Sequence, residues 1–166
     1  LHDSVHSFPT RRSSDLYWNN NELEKAIQGK IDHNIAKYLL WKYENHLESS
    51  GKSGYKLRRF DDIVNPELEH IAPQTPKNGG SIANGYCRYD EEFKKEYIDC
   101  LGNYLLLSKS HNCSVGNKPF SEKYKTYVYL AQQREIQKLV PENGKWDKKV
   151  IKKRKDEIIK FIISKL

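Results

Sequence analysis

Apolar residues recur at the spacing of an amphipathic helix in several segments, and turn-forming residues separate these segments. Asp32 and Asp90 stand where N-caps are expected, and Gly29 and Gly102 stand where helices should end. In the last segment an apolar stripe that includes Arg154 lies opposite a row of lysines, which predicts a helix with one buried face. The predicted helices cover about 19–28, 32–47, 90–100, 120–130 and 146–166, and a further helix opens at Ser108 or Ser110.

Two short runs are typical of β-strands. Residues 68–72 form a brief extended run that Pro73 ends, and residues 104–107 form an apolar run too short for a helix. A long insert separates them, and it includes a surface loop rich in Pro and Gly at 74–85. If the two runs pair, the sequence predicts an α+β protein that is mostly helical.

The composition of the 166 residues fits a single water-soluble domain. The apolar content is 37%, the charged content is 31% and the mean hydropathy is −0.87. No apolar run approaches the ~20 residues that a membrane span needs, and no signal peptide is expected. Three widely spaced cysteines argue against a disulfide framework, so we expect a reducing, cytoplasmic location.

The net charge of +7 is concentrated near the C-terminus. Residues 145–166 contain nine Lys or Arg and three acidic residues, which gives this segment a net charge of +6. Such a segment favours a polyanionic partner such as nucleic acid. A solvated, lysine-rich helix face is the alternative interpretation.

The first sixteen residues are expected to be foreign to the natural protein. Residues 7–16 resemble the in-frame translation of a DNA-sequencing adapter oligonucleotide over ten consecutive positions. We therefore exclude residues 1–16 from the fold predictions and expect the natural gene to continue upstream. A natural polar tail is the alternative.

The strongest chemical signal is a carboxylate beside a histidine, followed at a distance by two asparagines. Glu69 and His70 lie in the first predicted strand, Asn103 precedes the second strand, and Asn112 follows nine residues later. Hydrolysis of a phosphodiester with one metal ion requires this combination. His70 can accept a proton from water, and Asn103 can fix the loop that bears it. Glu69 and Asn112 can offer hard oxygen atoms to Mg²⁺ or Mn²⁺.

Each assignment has a competing interpretation. His111 is the rival of Asn112 as the second metal ligand, and Asn103 could be a turn residue. Glu69 could be an ordinary exposed acid, and His70 a surface or core-edge histidine. The three cysteines and His111 lack the close spacing of a structural zinc site, so we expect no zinc.

The motifs resemble two groups of nucleases. Glu-His-Ile-Ala-Pro-Gln at 69–74 and the step between the asparagines are similar to the ββα-metal, or HNH, finger, including that of the RNA-guided CRISPR nucleases. Over residues 17–166 the chain resembles the C-terminal domain of GmrSD-type modification-dependent restriction endonucleases. The further motifs that carry this resemblance are Leu-Gly-Asn at 101–103, Asn-Lys-Pro-Phe-Ser-Glu-Lys at 117–123, and Trp146 with Ile151 and Arg154.

The resemblance implies an HNH-like finger embedded in a helical domain. Residues 17–60 would be a helical lead-in or the end of an upstream domain, and residues 61–166 would be the nuclease domain with a basic C-terminal helix. Many relatives have Asp where this chain has Glu69. Asn117 and Lys118 could contact substrate phosphate or brace the loop, and Lys123 is a further candidate for phosphate contact.

The predicted function is that of a metal-dependent DNA endonuclease from a phage-defence restriction system. The resemblance implies that target selection depends on an N-terminal nucleotide-hydrolysing domain. The competing hypotheses are a catalytically silent nucleic-acid-binding or assembly module and an RNA-cleaving toxin with the same finger.

Overall fold

The computed structural model describes residues 20–50, 52, 54–63, 66–76 and 84–166. The adapter-like segment and most of the predicted loop at 74–85 lie outside the described residues. Within the described ranges, none of the helices has the length and apolarity required to cross a membrane.

The described part of the chain is mostly helical and contains one small antiparallel sheet, which confirms the predicted α+β class. The helices are α1 (Asn20–Gln28), α2 (His33–Ser49), α3 (Glu91–Glu96), α4 (Lys109–Val115), α5 (Phe120–Tyr124), α6 (Ala131–Leu139) and α7 (Lys148–Lys165). The strands are β1 (Pro66–His70) and β2 (Tyr104–Ser108), and short 3₁₀ turns occur at Phe60–Asp62 and Leu101–Asn103.

Side-chain caps begin four of these helices. The Asp32 carboxylate accepts hydrogen bonds from the backbone N–H groups of Asn34 and Ile35 at the start of α2. Asp90, Ser108 and Asp147 cap α3, α4 and α7 in the same way. Each oxygen satisfies N–H groups that have no partner within the helix, which is why the predicted starts are close to the observed ones.

The two strands place Glu69 and His70 on opposite faces of the sheet. In the antiparallel register, Glu69 pairs with Leu105 and His70 pairs with Tyr104. Successive side chains of a strand point to opposite faces, so the neighbours on the chain enter different environments. The first strand begins and ends two residues earlier than predicted.

Each face of the sheet contacts its own apolar core. On the His70 face, Tyr104 and Leu106 pack with residues of α2 and α7. On the Glu69 face, Leu105 and Leu107 pack with a cluster that contains Phe93, Phe120, Tyr127, Trp146 and Ile151. The sheet therefore lies between two cores, and this burial fixes the register of the strands.

The helix predicted over 120–130 is wrong beyond Tyr124, and α6 was not predicted. Tyr124 is followed by turns, and a new helix begins at Ala131. Its first N–H groups, those of Ala131 and Gln132, donate to the Glu44 carboxylate of α2 at 2.8 and 3.0 Å. Because the cap comes from a residue 87 positions away, no local pattern marks where α6 begins.

The helix predicted over 90–100 is also shorter than expected. It ends at Glu96, and the chain then turns into the 3₁₀ turn Leu101–Asn103. Arg154 of α7 is fully buried beneath this turn. Its Nη1 atom donates to the carbonyl oxygens of Gly102 and Tyr104 at 2.9 and 2.6 Å, which anchors the turn and the start of β2.

Candidate active site

His70 ends β1, and its ring is held on both sides. Its Nε2 atom lies 2.9 Å from Asp99 Oδ1, and its ring meets the edge of the Tyr104 ring at a centroid distance of 4.9 Å. The side chain is 14% exposed. Burial lowers the pKa of His70 below its ordinary value, and the hydrogen bond and charge of Asp99 oppose this change. The imidazole is therefore mostly neutral near pH 7, as a general base must be.

Asp99 is a functional candidate that the sequence did not reveal. Its carboxylate accepts hydrogen bonds from Gln74 Nε2 at 3.1 Å and from the Tyr104 hydroxyl at 3.5 Å. Lys30 Nζ lies 3.3 Å from its other oxygen. Burial acts to raise the pKa of Asp99, but hydrogen bonds from His70, Gln74 and Lys30 lower it overall. An ionised Asp99 accepts the Nε2–H of His70, so the lone pair of the neutral ring is on Nδ1.

Asn103 fastens the loop that follows His70. Its Oδ1 atom accepts from the Ala72 N–H at 2.9 Å, and its Nδ2 atom donates to the Ala72 carbonyl at 3.0 Å. The same amide accepts from Trp146 Nε1 and donates to the Ile98 carbonyl, both at 2.9 Å. The side chain is fully buried with its amide groups paired, which suits the orienting role predicted for it.

Glu69 enters the opposite core and forms a buried ion pair. Its Oε1 atom lies 2.5 Å from Lys123 Nζ and accepts from the Tyr127 hydroxyl at 3.3 Å. The Glu69 side chain is only 6% exposed, so it is not an ordinary exposed acid. Burial raises the pKa of Glu69, and the charge and hydrogen bonds of Lys123 and Tyr127 oppose this rise.

Lys123 connects the Glu69 side chain to the backbone that carries His70. Its ammonium group has no exposed surface, and it also donates to the carbonyls of His70 and Ile71 at 3.0 and 3.3 Å. Burial lowers its pKa, and Glu69 opposes this change. The predicted contact with substrate phosphate would require the ammonium to leave three acceptors. The geometry favours an internal bracing role instead.

Asn117 and Lys118 lie in the turn between α4 and α5, and both are exposed. The Lys118 carbonyl accepts a hydrogen bond from the Tyr86 hydroxyl at 2.8 Å. Its backbone N–H donates to the Val115 carbonyl at 3.1 Å. The backbone is thus fixed while the side chains stay accessible, which is compatible with either predicted role of these residues, phosphate contact or loop bracing.

The two candidates for the second metal ligand are neighbours on α4, which packs against both strands. His111 Nε2 lies 2.8 Å from Thr126 Oγ1, and the Thr126 hydroxyl donates to the Lys123 carbonyl. Since this hydroxyl has one proton, its oxygen must accept the Nε2–H of His111. Asn112 is half-buried, and its side-chain amide forms no hydrogen bond with the described residues, while its backbone carbonyl accepts the Gly116 N–H at 3.1 Å. Among the described residues, the side-chain amide oxygen of Asn112 therefore remains available as a metal ligand, whereas Nε2 of His111 is engaged in a hydrogen bond.

The donor chemistry fits a hard divalent cation. The side-chain hydrogen bonds that Glu69 forms with described residues all use Oε1, and a carboxylate can still offer its other oxygen. Among the described residues, no three His, Cys, Asp or Glu side chains converge on one point. A cation at Glu69 and Asn112 would have few protein ligands, which suits Mg²⁺ because this ion usually keeps several waters.

Comparison with known proteins supports a nuclease relationship. Searches of curated proteins and of solved structures found no match. The family model of the GmrSD restriction endonucleases, C-terminal domain, matches residues 14–161, which is most of the chain and includes every candidate site residue. The chain therefore belongs to the family of C-terminal domains of GmrSD restriction endonucleases.

Proposed function

We propose that this domain is a metal-dependent DNA endonuclease in which His70 is the general base. The observation that carries the proposal is the hydrogen bond between His70 Nε2 and Asp99 Oδ1, at the end of a strand whose next residues are clamped by Asn103. The arrangement orients the ring and leaves Nδ1 as the basic atom. Membership of a restriction endonuclease family supports the reaction class.

In the proposed reaction, Nδ1 of His70 takes a proton from a water molecule as the water oxygen attacks phosphorus. The bond between phosphorus and the 3′ oxygen of DNA breaks, and the departing 3′ oxygen takes a proton from solvent. Asp99 stabilises the imidazolium that forms, and Asn103 keeps the ring-bearing loop in place. Glu69 and Asn112 would hold Mg²⁺ or Mn²⁺, which supplies a positive charge for the leaving 3′ oxygen. Strand β1, β2 and α4 would then constitute the ββα-metal finger.

The charge of α7 supports DNA as the substrate. Lys149, Lys153 and Lys160 are exposed on this helix and available for phosphate contacts. Arg154 is buried and Lys148 forms ion pairs with acidic residues of α3 and its cap, so the positive surface is smaller than the sequence charge suggests. Target choice would depend on an N-terminal nucleotide-hydrolysing domain in a cytoplasmic phage-defence system.

Plasmid nicking tests the proposal. We expect the protein to nick supercoiled DNA with Mg²⁺ or Mn²⁺ and to lose this activity in EDTA. Asn112→Ala should raise the metal concentration required for half-maximal nicking more than His111→Ala does. If His111→Ala has the larger effect, the assignment of the second ligand is wrong. A nicking rate that EDTA does not change would contradict the whole proposal.

One observation favours the alternative of a catalytically silent nucleic-acid-binding or assembly module. The Glu69 carboxylate is already neutralised by Lys123, so the site has little negative charge to attract a cation. This alternative predicts salt-sensitive DNA binding that is indifferent to EDTA and cleavage of neither DNA nor RNA. Assaying cleavage of DNA and of RNA in parallel also tests the hypothesis of an RNA-cleaving toxin.

A further inference from the structure

A pocket of about 670 Å³ lies beside the candidate active site. Its walls come from the segment before β1, from α4, and from the chain between α5 and α6. We call it the Arg58 pocket and define it by Arg58, His111, Ser114, Lys125 and Tyr129. Its volume is in the usual range for small-ligand sites, roughly 300–1,000 Å³.

The first indication of a ligand is the Arg58 guanidinium. Its Nε atom is buried and has no hydrogen-bond partner among the described residues. The Arg58 backbone is fixed, because its N–H donates to Asn45 Oδ1 at 2.7 Å and its carbonyl accepts from Trp41 Nε1 at 2.8 Å. A buried donor without an acceptor is unfavourable. The guanidinium group of Arg58, a residue of the pocket lining, is of the kind that pairs with phosphate oxygens.

Lys125 adds a second positive charge to the pocket, and its side chain is exposed. Asp62 also lines the pocket, and its carboxylate accepts the backbone N–H of Arg59 at 2.7 Å. The two cations outnumber the one carboxylate, and Ser110 and Ser114 also line the pocket. These polar residues suit an anionic group with several acceptor oxygens.

The lining of the pocket also includes an aromatic ring, that of Tyr129. Tyr129 is 74% exposed although its backbone is fixed by two hydrogen bonds, one from its N–H to Gln133 Oε1 and one to its carbonyl from Arg134 Nη1. The His111 ring meets it edge-on at a centroid distance of 5.9 Å. A large exposed ring on a fixed backbone, in a pocket that also contains cationic side chains, suits the stacking of a nucleic-acid base.

We propose that the Arg58 pocket binds one nucleotide of the DNA strand, with the base on Tyr129 and a phosphate at Arg58 and Lys125. This proposal rests on the proposed nuclease function. Ser108, at the pocket, is four residues along β2 from Tyr104, which pairs with His70. At the rise of a β-strand this separation is about 13 Å, so the bound nucleotide is not the one whose phosphate is cleaved. A base would have to leave the duplex to enter the pocket.

Fluorescence of a duplex that contains one 2-aminopurine opposite a mismatched base tests the pocket. The protein carries His70→Ala, so that the DNA stays intact in the presence of Mg²⁺. We expect fluorescence to rise on binding, because the base leaves the stack. Adding Tyr129→Ala should abolish the rise and weaken binding about 5- to 150-fold, the equivalent of one lost base stack. Arg58→Gln should weaken binding and reduce its salt dependence by about one phosphate contact.

Two variants at exposed positions serve as matched controls, Tyr38→Ala on α2 and Arg88→Gln in the segment before α3. Both should leave fluorescence and affinity unchanged. If they act as strongly as the pocket variants, or if Tyr129→Ala has no effect, the pocket proposal is overturned. The proposal would also be overturned if Tyr129→Ala weakened the binding of free dAMP but did not change the binding of the duplex. The ligand of the pocket would then be a mononucleotide.

The outcome separates this proposal from the nuclease proposal. A Tyr129-dependent fluorescence rise supports the pocket even if wild-type protein never cleaves DNA. Cleavage that depends on His70, together with fluorescence indifferent to Tyr129, supports the nuclease and overturns the pocket.

Discussion

Lys123→Met tests the buried ion pair that links the two halves of the candidate site. The substitution keeps the volume of the side chain and removes its charge. In the native protein the ammonium is fully buried and contacts one carboxylate oxygen and two backbone carbonyls. The variant leaves Glu69, itself 6% exposed, as a buried carboxylate without its cation. Breaking such a pair costs about 3–5 kcal/mol.

This cost is a large part of the total stability of a domain, which is typically about 5–15 kcal/mol. For a chain of this size it corresponds to a fall in Tm of roughly 6–20 °C. Adding Glu69→Gln removes the uncompensated charge. The double variant should lose only about 1–3 kcal/mol, since the carbonyls of His70 and Ile71 still lack their donor.

The pH dependence provides an independent check. Without Lys123, the pKa of Glu69 in the folded protein should lie further above its unfolded value, because burial already raises it. The penalty is then present at neutral pH and shrinks as the pH falls and Glu69 takes a proton. Urea denaturation between pH 5 and 8 would measure both effects, with the exposed Lys160→Met as the control.

Two results would refute the reasoning. If Lys123→Met and the double variant with Glu69→Gln lose the same free energy of unfolding, the charge of Glu69 does not cause the loss. If the loss in Lys123→Met is the same at pH 5 and pH 8, Glu69 is not the titrating group.

Two further predictions concern the geometry around His70. Asp99→Asn removes the carboxylate that raises the pKa of His70, so this pKa should fall. The acid limb of the pH–rate profile for nicking should then move to lower pH, and the maximal rate should decrease. An unmoved acid limb would show that Asp99 does not act on His70. Gly102→Ala adds a Cβ that would overlap the Ile151 carbonyl, so thermal melting should show a loss of about 1–3 kcal/mol of stability. Gly29 has open space around it, so Gly29→Ala should melt close to wild type. Equal melting temperatures for the two variants would contradict the close approach at Gly102.

Local signals in the sequence predicted the elements whose determinants are also local. The caps Asp32, Asp90 and Ser108 mark helix starts because each oxygen bonds N–H groups two or three residues away. The second strand could be located from its apolar run, and the first from the extended run that Pro73 ends, although it lies two residues earlier than predicted. The apolar stripe of α7 predicted its buried face. Arg154 can lie within that stripe because its guanidinium donates to three backbone carbonyls.

The features that the sequence did not reveal depend on contacts between distant residues. Helix α6 is capped by Glu44 of α2, so its start has no local mark. Asp99 lies 29 residues from His70 and fell within a predicted helix, where it had no reason to be singled out. Lys123 is a candidate for phosphate contact through the motif at 117–123, and only the fold shows that its ammonium faces Glu69.

The central claim is that His70 activates water, and a single-turnover cleavage rate tests it most directly. A labelled duplex is mixed with excess protein at saturating Mg²⁺, and wild type is compared with His70→Ala of confirmed native melting behaviour. Loss of a general base predicts a rate about 10²- to 10⁴-fold lower in the variant. Equal rates in the two proteins, at equal DNA occupancy, would contradict the assignment.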